Sequence, residues 1–206
     1  MIRVWGRANS VNVQKVLWTL GELALPFERI DAGGAFGQVD KPDYRRLNPN
    51  GRVPTIEDDG FVLWESNVIV RYLAAKHGAG RLAPSDGQAH ALADQWMDWS
   101  LSVLLPIMTP LFWALVRTPP EQRDPAAIAR HTQQLGEAMS ILDRRLAQSA
   151  FVAGPSFSMG DIPVGALTYR WFALDIPRPE LPALAEWYAR LSERPSYRTT
   201  IMLPLS

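Results

Sequence analysis

The stretch that decides the fold runs from Asn48 to Ala74 and reads NPNGRVPTIEDDGFVLWESNVIVRYLA. An Asn-Pro-Asn-Gly break opens it, and Val53-Pro54 then begins a strand, because proline cannot donate a hydrogen bond to a strand ladder. Two apolar runs, Thr55–Glu57 and Phe61–Trp64, flank an Asp-Asp-Gly turn, which predicts a β-hairpin. Helical spacing from Ser66 to His77, with a glycine after it, predicts a helix that follows the hairpin.

The residues before this stretch add a βαβ unit. Ile2–Trp5 is a short apolar run, Val13–Leu20 repeats apolar residues at helical spacing, and Phe27–Asp31 is a second strand candidate. A single helical turn is predicted over Tyr44–Leu47. The order β-α-β-α-β-β-α combines a right-handed parallel unit with an antiparallel hairpin. We therefore expect an α/β N-terminal domain with a mixed four-stranded sheet and helices on both faces.

The rest of the chain predicts helices only. Residues 79–88 are rich in Gly, Ala and Pro and are typical of a linker, so we divide the chain into residues 1–78, a linker of residues 79–88, and an all-α domain of residues 89–206. The predicted helices cover Ala89–Val116, Pro125–Ser149, Ile162–Ala173 and Leu181–Ser192. Pro106 and Pro110 are expected to kink or divide the first of them.

Composition excludes several classes of function. The 206 residues include 21 Lys+Arg and 21 Asp+Glu, so the formal net charge of zero argues against a general nucleic-acid binder. The absence of cysteine excludes disulfides and a protein-borne thiol nucleophile, and the spacing of the three histidines predicts no metal site. The N-terminus lacks the apolar core of a signal peptide, and no apolar run approaches the length of a membrane span. We therefore expect a cytoplasmic protein that makes no contact with membranes.

Ser10 is the first candidate for chemistry, because it lies where the first strand meets the first helix, between Asn9 and Asn12. A helix N-terminus carries unpaired N–H groups and partial positive charge, worth about 0.3–1 kcal/mol to an anion. A hydroxyl and an amide placed there suit a thiolate or another anion. Serine and asparagine are also preferred N-caps, and spacing alone favours that structural role.

Three further pairs of residues each have a binding and a structural interpretation. Glu65-Ser66 offers a carboxylate and a helix N-terminus, which together suit an amino-acid head group, although Ser66 is also a good N-cap. The backbone of Val53 would pair with a peptide-like ligand if the bond to Pro54 is cis. Trp113 and Arg117 suit the lining of a pocket for an apolar electrophile, or Arg117 caps the end of its helix.

Together these segments carry a resemblance to a known family. The N-terminal segment WGRANSVNVQKVLWTL at residues 5–20, the stretch at residues 48–74, and the helical half with SMGD at residues 158–161 resemble the cytosolic glutathione transferases over essentially the whole chain. One pattern in particular is specific to the thioredoxin-like domain of that family: the successive pairs Val53-Pro54, Asp59-Gly60, Glu65-Ser66 and Tyr72-Leu73. The N-terminal segment and the MLPLS tail are similar to a bacterial, theta- or nu-like subgroup with a Ser/Asn site.

The resemblance implies a role for each candidate residue. Ser10 or Asn12 would contact the sulfur of glutathione as the catalytic hydrogen-bond donor. Val53 would pair with the cysteinyl part of glutathione before a cis-Pro54, while Glu65 and Ser66 would hold its γ-glutamyl group. The glycyl carboxylate would be held by Gln38, Lys41 or Arg52. The full set expected to bind glutathione is Asn9, Gln38, Lys41, Arg52, Val53, Pro54, Glu65 and Ser66, with Trp113 and Arg117 in the substrate pocket.

The function implied is transfer of the glutathione thiolate to small electrophiles, for example halogenated compounds, in detoxification. The resemblance also implies a homodimer, with glutathione as the co-substrate. Two alternatives stay open: a glutathione-dependent disulfide reductase, which needs no protein cysteine, and a non-catalytic binding module that keeps the fold.

Overall fold

The computed structural model describes residues 1–206. The N-terminal half has the predicted element order: β1 Ile2–Trp5, α1 Val11–Glu22, β2 Phe27–Ile30, α2 Pro42–Leu47, β3 Thr55–Asp58, β4 Phe61–Trp64 and α3 Ser66–His77. The second half is helical: α4 Gly87–Trp99, α5 Leu105–Phe112, α6 Pro125–Leu146, α7 Asp161–Ala173, α8 Pro182–Ser192 and α9 Pro195–Thr200. The predicted fold class, an α/β half followed by an all-α half, is confirmed.

The four strands form one mixed sheet in the order β2-β1-β3-β4. β1 is parallel to β2 and antiparallel to β3, and β3 pairs with β4 as the predicted hairpin. Asp59 and Gly60 form the hairpin turn with φ values of 50° and 84°. Tight hairpins favour an Asp-Gly pair because their twist requires positive φ at both central residues. The turn therefore fixes the register that places Val53-Pro54 directly before β3.

Helices α1 and α3 pack against each other beside the sheet. Leu20 of α1 and Leu73 of α3 are fully buried, as are Val4 and Ile56 of the two central strands. Val68, which the sequence places on the apolar face of α3, is instead 42% exposed. The spacing of α3 thus predicts the helix correctly but assigns one apolar residue too many to its buried face.

The first helix of the second half does not break at its prolines. Helix runs from Gly87 to Arg117, with wider π turns at Ser100–Leu104 and Trp113–Arg117. Pro106 follows the first π turn and Pro110 precedes the second. We attribute the continuity to these turns, because a widened turn relieves the clash and the missing hydrogen bond that proline introduces. Of the two expectations, a kinked or a divided helix, division is therefore corrected.

The same helix corrects a second expectation, that no apolar segment reaches membrane-spanning length. By length and composition its 31 residues would suffice to cross a bilayer, with a mean hydropathy of 1.7 in the most apolar window. Only 28% of that window is buried within the chain. Met97 and Leu104 are nevertheless part of the core, so the helix has one face packed inside the protein and a largely open opposite face.

The short helix α9 was not predicted, because six residues are too few to show a period. It matters because it packs on α1, where Tyr197 meets Trp18 edge-on with ring centroids 4.7 Å apart. Arg194, just before α9, donates to Glu22 at the end of α1 at 2.5 Å, and the Trp18 indole donates to the same carboxylate at 2.8 Å. A single cluster of 43 buried apolar residues spans both halves, so helix α1 is held from two sides.

Candidate active site

Ser10 precedes the first turn of α1 and is 9% exposed. Its backbone N–H donates to the Arg7 carbonyl at 3.2 Å, and its own carbonyl accepts from the Gln14 N–H at 2.8 Å. The side chain makes no capping hydrogen bond. The structural interpretation of Ser10 as a side-chain N-cap is therefore wrong, and its hydroxyl is left free at the positive end of the helix.

Asn12 has its amide oriented by two neighbours. Its Oδ1 accepts from the Lys15 ammonium at 3.0 Å and from the Ser66 hydroxyl at 3.4 Å. Because an ammonium group can only donate, the oxygen of Asn12 must face Lys15. Its NH₂ group makes no hydrogen bond within the protein. Asn12 thus connects the Ser10 end of α1 with the Ser66 end of α3, and its two amide hydrogens stay available to a ligand.

Lys15 is a site residue that the sequence did not single out. Its side chain is fully buried and also reaches the Asn67 Oδ1 at 3.4 Å. The pKa of Lys15 is lowered to about 7, mainly by burial and also by the charge of Arg170, while the charge of Glu65 partly opposes the shift. The only signal in the sequence was a lysine inside a run of apolar helix residues, where a charged side chain has to find partners.

Glu65 and Ser66 differ from their predicted arrangement in one respect. Glu65, with φ of 72°, is the residue before the helix, and Ser66 is the first residue within it. The interpretation of Ser66 as the N-cap is therefore corrected: its hydroxyl bonds to Asn12 and its N–H belongs to the unpaired first turn. The Glu65 carboxylate is exposed and takes part in no ion pair. The carboxylate of Glu65 and the unpaired N–H groups in the first turn of α3 thus lie next to each other.

The Val53–Pro54 bond is cis, and both sides of Val53 are open. Neither its N–H nor its C=O makes a hydrogen bond within the protein. The preceding carbonyl, that of Arg52, is fixed by the Tyr44 hydroxyl at 2.6 Å and by the Asn48 amide at 2.9 Å. Val53 therefore offers a rigid, unpaired donor and acceptor of the kind that binds peptide-like ligands.

Three predicted residues stay at the rim. Gln38, Lys41 and Arg52 are exposed, and neither cation forms an ion pair. Gln38 has a positive φ of 71° in the Gly-rich loop, and Lys41 directly precedes α2. The structure shows no contact that joins these side chains to Ser10 or Glu65. Their role in holding the glycyl carboxylate stays a prediction.

Trp113, Arg117 and Asn9 are brought together by the last residues of the chain. The Asn9 amide donates to the Ser206 hydroxyl at 2.8 Å, and Arg117 donates to the Ser206 carbonyl at 3.1 Å. The Arg117 guanidinium also lies 5.2 Å from the Trp113 ring centroid. Arg117 therefore points to the tail rather than to the carbonyls of its own helix, which corrects its interpretation as a C-terminal cap.

Comparisons with known proteins agree with this geometry. The model of the glutathione S-transferase N-terminal domain matches residues 9–76, and that of the C-terminal domain matches residues 125–190. The chain is 43% identical over 208 residues to glutathione S-transferase GstB of Escherichia coli strain K12, and the match covers 100% of both chains. It is 28% identical to glutathione S-transferase 3 of Zea mays, covering 97% of this chain and 93% of the relative.

Solved structures give the same result. A theta class glutathione S-transferase from Xanthomonas axonopodis pv. citri, with glutathione bound, has a TM-score of 0.96 and 49% identity, covering 100% of this chain and 99% of the other. Glutathione transferase F2 from Populus trichocarpa has a TM-score of 0.86 and 29% identity, with 98% of each chain covered. These matches confirm the thioredoxin-like N-terminal domain and its helical partner. The chain belongs to the glutathione S-transferase family.

Proposed function

We propose that this enzyme activates the thiol of glutathione through the Ser10 hydroxyl and the Asn12 amide, and transfers it to a small electrophile. The supporting observation is that both groups are unpaired donors at the N-terminal end of the same helix. Ser10 acts here as a hydrogen-bond donor and not as a nucleophile, since no base is hydrogen-bonded to it. The sulfur of the co-substrate is the only thiol in the reaction.

The energetic demand on these donors is moderate. A free thiol has a pKa near 8.5, so only a few per cent is thiolate at pH 7. Lowering that pKa by about two units requires roughly 2.7 kcal/mol of preference for the thiolate. A helix N-terminus supplies about 0.3–1 kcal/mol, and a hydrogen bond to a charged group about 1.5–3 kcal/mol. Two donors and the helix therefore meet the demand.

We assign the rest of glutathione to the groups that the fold leaves open. Glu65 accepts from the γ-glutamyl ammonium, and the N-terminus of α3 at Ser66 receives its carboxylate. The free backbone of Val53 pairs with the cysteinyl unit. The rim residues take the glycyl carboxylate: Gln38, Lys41 and Arg52, with Asn9 beside the sulfur. In this division residues 1–78 bind glutathione and residues 89–206 bind the electrophile.

Replacing the two donors tests the assignment. Ser10→Ala and Asn12→Ala should each raise the pKa of bound glutathione by about one unit and lower turnover at pH 7 about threefold through the smaller thiolate fraction, because each removes one charge-assisted bond. The ultraviolet absorbance of the thiolate, followed against pH, gives the first quantity directly. Ser102→Ala is the control, since that hydroxyl bonds only to its own helix at 3.0 Å. Wild-type absorbance and rate in both site variants would overturn the assignment.

Assays with a panel of small electrophiles and disulfides, together with calorimetry of glutathione binding, separate the two alternatives. Turnover of a small disulfide, with none of halogenated compounds, would identify a disulfide reductase. Glutathione binding too weak to detect by calorimetry would identify a non-catalytic module. The unpaired Ser10 hydroxyl argues against the second alternative, because a fold kept only for stability would gain from using it as a cap.

We further propose a homodimer that acts in the cytoplasm to remove electrophiles. Large apolar side chains are exposed on both halves of the chain: Phe61 is 51% exposed and Val68 42%, while Leu92 is 37% and Leu101 36%. Such residues are typical of a protein interface, and the two sets suit a dimer in which unlike halves face each other. Reduced glutathione and a chain without cysteine both suit a reducing compartment.

A further inference from the structure

A large cavity lies within the helical half of the chain. It is a groove of about 940 Å³ between the N-terminal half of α6, the end of the helix from Gly87 to Arg117, and the segment that joins α7 to α8. Leu115, Ile128 and Ile176 form its apolar walls together with four prolines. None of the residues proposed to bind glutathione or to form the dimer lines it. Cavities of about 300–1,000 Å³ with mostly apolar walls are typical of small-molecule sites.

The floor of the groove includes Gly136, which lies in the interior of the 22-residue helix α6. A Cβ at this position would lie 3.7 Å from Cδ and 3.8 Å from Cγ of Pro179, which is ordinary van der Waals contact. Packing therefore does not require a glycine here, and glycine destabilises the interior of a helix relative to alanine. What Gly136 does provide is depth, because any longer side chain would occupy the space beside Pro179.

The two arginines that line the groove are bound to backbone carbonyls. Arg123 donates at 2.7 Å to the Leu115 carbonyl, in the last turn of its helix. Arg178 donates at 2.9 and 2.7 Å to two carbonyls at the end of α7. The C-terminal end of a helix carries partial negative charge, which a cation placed there offsets. Each guanidinium is therefore already used to complete the end of a helix.

The two carboxylates that line the groove have no such partner. Asp175 makes neither an ion pair nor a side-chain hydrogen bond, and Glu137 accepts only from the Gln133 amide, at 3.0 Å. The turns beside the groove add Glu121 and Glu180, which are exposed and also form no ion pair. The groove thus combines apolar walls with carboxylates that no cation of the chain neutralises.

We propose that this groove is a second binding site, which takes an organic ammonium compound. The apolar body of the compound lies between Leu115, Ile128 and Ile176, and its positive charge is held by the carboxylates of Asp175 and Glu137. Charge complementarity selects this class of ligand. An apolar anion would be repelled by the two carboxylates, and a neutral apolar compound would leave them without a partner. The site goes beyond the proposed function, because neither glutathione nor an electrophile is needed for it to be occupied.

Three compounds with the same alkyl chain test the preference for charge: octylamine, octanol and octanoate. Only octylamine is a cation at pH 7, because amines of this kind have a pKa above about 10. In calorimetric titrations of the full chain at about 0.15 M salt, octylamine should bind about tenfold more tightly than octanol, and octanoate more weakly than either. Equal binding of the three compounds would overturn the assignment of the ligand class.

Substitutions in the groove separate its charge from its shape. Asp175→Asn and Glu137→Gln should each weaken octylamine about three- to tenfold and change octanol less than about twofold, because only the amine uses the carboxylates. Glu180→Gln is the matched control: it removes the same charge from the same segment but does not line the groove. Gly136→Leu should weaken octylamine and octanol alike, by at least about tenfold, because it fills the floor. Gly136→Ala, whose Cβ fits beside Pro179, should weaken both about two- to threefold and keep the fold.

The remaining outcomes decide against the site. Octylamine that does not bind, that glutathione displaces, or that binds unchanged to every groove variant would overturn the proposal. So would a loss in Glu180→Gln as large as the loss in Asp175→Asn. The thiolate absorbance of bound glutathione is measured in each variant and should keep its wild-type value. A failure of the proposed function would change that absorbance or the turnover and leave octylamine binding intact, so the two proposals fail separately.

Discussion

At the scale of single residues, Lys15 sets the orientation of the site. Its ammonium holds Asn12 through the amide oxygen and so directs the amide hydrogens away from the core. Burial of this amine lowers its pKa to about 7, well below its ordinary value of 10.5. The charged form is disfavoured by burial, while Asn12 and Asn67 offer it two oxygens. Lys15 is therefore a positioning residue whose charge depends on pH.

This shift predicts a pH dependence of stability. Because the folded pKa lies below the unfolded one, the unfolded chain binds more protons between about pH 7 and 10.5. The free energy of unfolding should therefore rise with pH in that window, by at most about 1.4 kcal/mol per unit. Below about pH 7 the amine is charged in both states and the cost of its burial is fully present. Lys15→Met should remove this rise.

Urea unfolding at a series of pH values measures the effect. The difference between wild type and Lys15→Met should change across the window and level off below it. Lys41→Met serves as the control, since Lys41 is exposed and without an ion pair. Parallel stability curves for wild type and Lys15→Met would show that the amine keeps its ordinary pKa.

At this scale the sequence predicts most residues of the candidate site but not how each of them is held. Ser10 has a residue type that suits both a cap and a donor, and only the hydrogen bonds of the folded chain separate the two roles. Arg170 carried no motif and was missed, because its burial over the Phe112 ring depends on the packing of two helices that are distant in the sequence. Lys15 was missed because lysine has a high helix propensity, so it does not stand out in a helix that the local sequence already predicts.

At the scale of elements, Asp161 holds the start of α7 to its surroundings. Its buried carboxylate accepts from the Val152 N–H at 3.1 Å, from the N–H and hydroxyl of Ser158 at 2.9 and 3.2 Å, and from the Trp187 indole at 3.0 Å. Burial raises the pKa of Asp161 to about 6 although all these donors favour the anion. The side chain thus joins a loop, a helix start and α8.

Asp161→Ala should be strongly destabilising. It leaves buried donors without an acceptor, each worth about 1–3 kcal/mol, so the total loss should reach about 4 kcal/mol, and Tm should fall by roughly 10 °C. Calorimetry measures both. Asp124→Ala is the matched control, because Asp124 caps α6 with two bonds at 2.9 and 3.1 Å but is exposed, and should lose about 1 kcal/mol. Equal losses would show that Asp161 acts only as a cap.

The elements themselves were largely predictable. The four strands and helices α1 and α3 have strong local signals, namely an Asp-Gly turn, a glycine stop and clear periods, and their bounds match within a few residues. The helix from Gly87 to Arg117 was predicted over Ala89–Val116, but its continuity past the two prolines was not, because a π turn depends on packing and has no composition of its own. Helix α9 was missed because its stability comes from burial of Tyr197 against α1, which no local pattern shows.

At the scale of the whole molecule, the exposed apolar side chains predict self-association. Phe61→Glu and Leu101→Glu should each raise the dissociation constant of the dimer by at least about 100-fold, because each places a charge in an apolar interface. Light scattering during size exclusion at several concentrations measures this. Ile141→Glu is the control, since that residue is 43% exposed on α6. A wild-type protein that stays monomeric at every concentration would contradict the proposed dimer.

The overall charge was a poor guide at this scale. A sum of zero argues against a general nucleic-acid binder, yet it does not show where single charges lie, such as that of Arg170, which is buried over the Phe112 ring. The family and the order of elements follow from local patterns, as do the residues proposed to bind glutathione, whereas the region proposed to bind the electrophile depends on contacts across the entire chain.

The backbone of Glu65 has a consequence for how this enzyme adapts to temperature. Its φ of 72° is a conformation that glycine adopts freely and that costs other residues about 1–3 kcal/mol. Selection for heat resistance alone would therefore favour Glu65→Gly, while selection for turnover would retain the carboxylate. Libraries screened only for survival of heating should accumulate inactive proteins with this change. With the role proposed for Glu65, the melting point and the catalytic rate of this enzyme are in conflict at one residue.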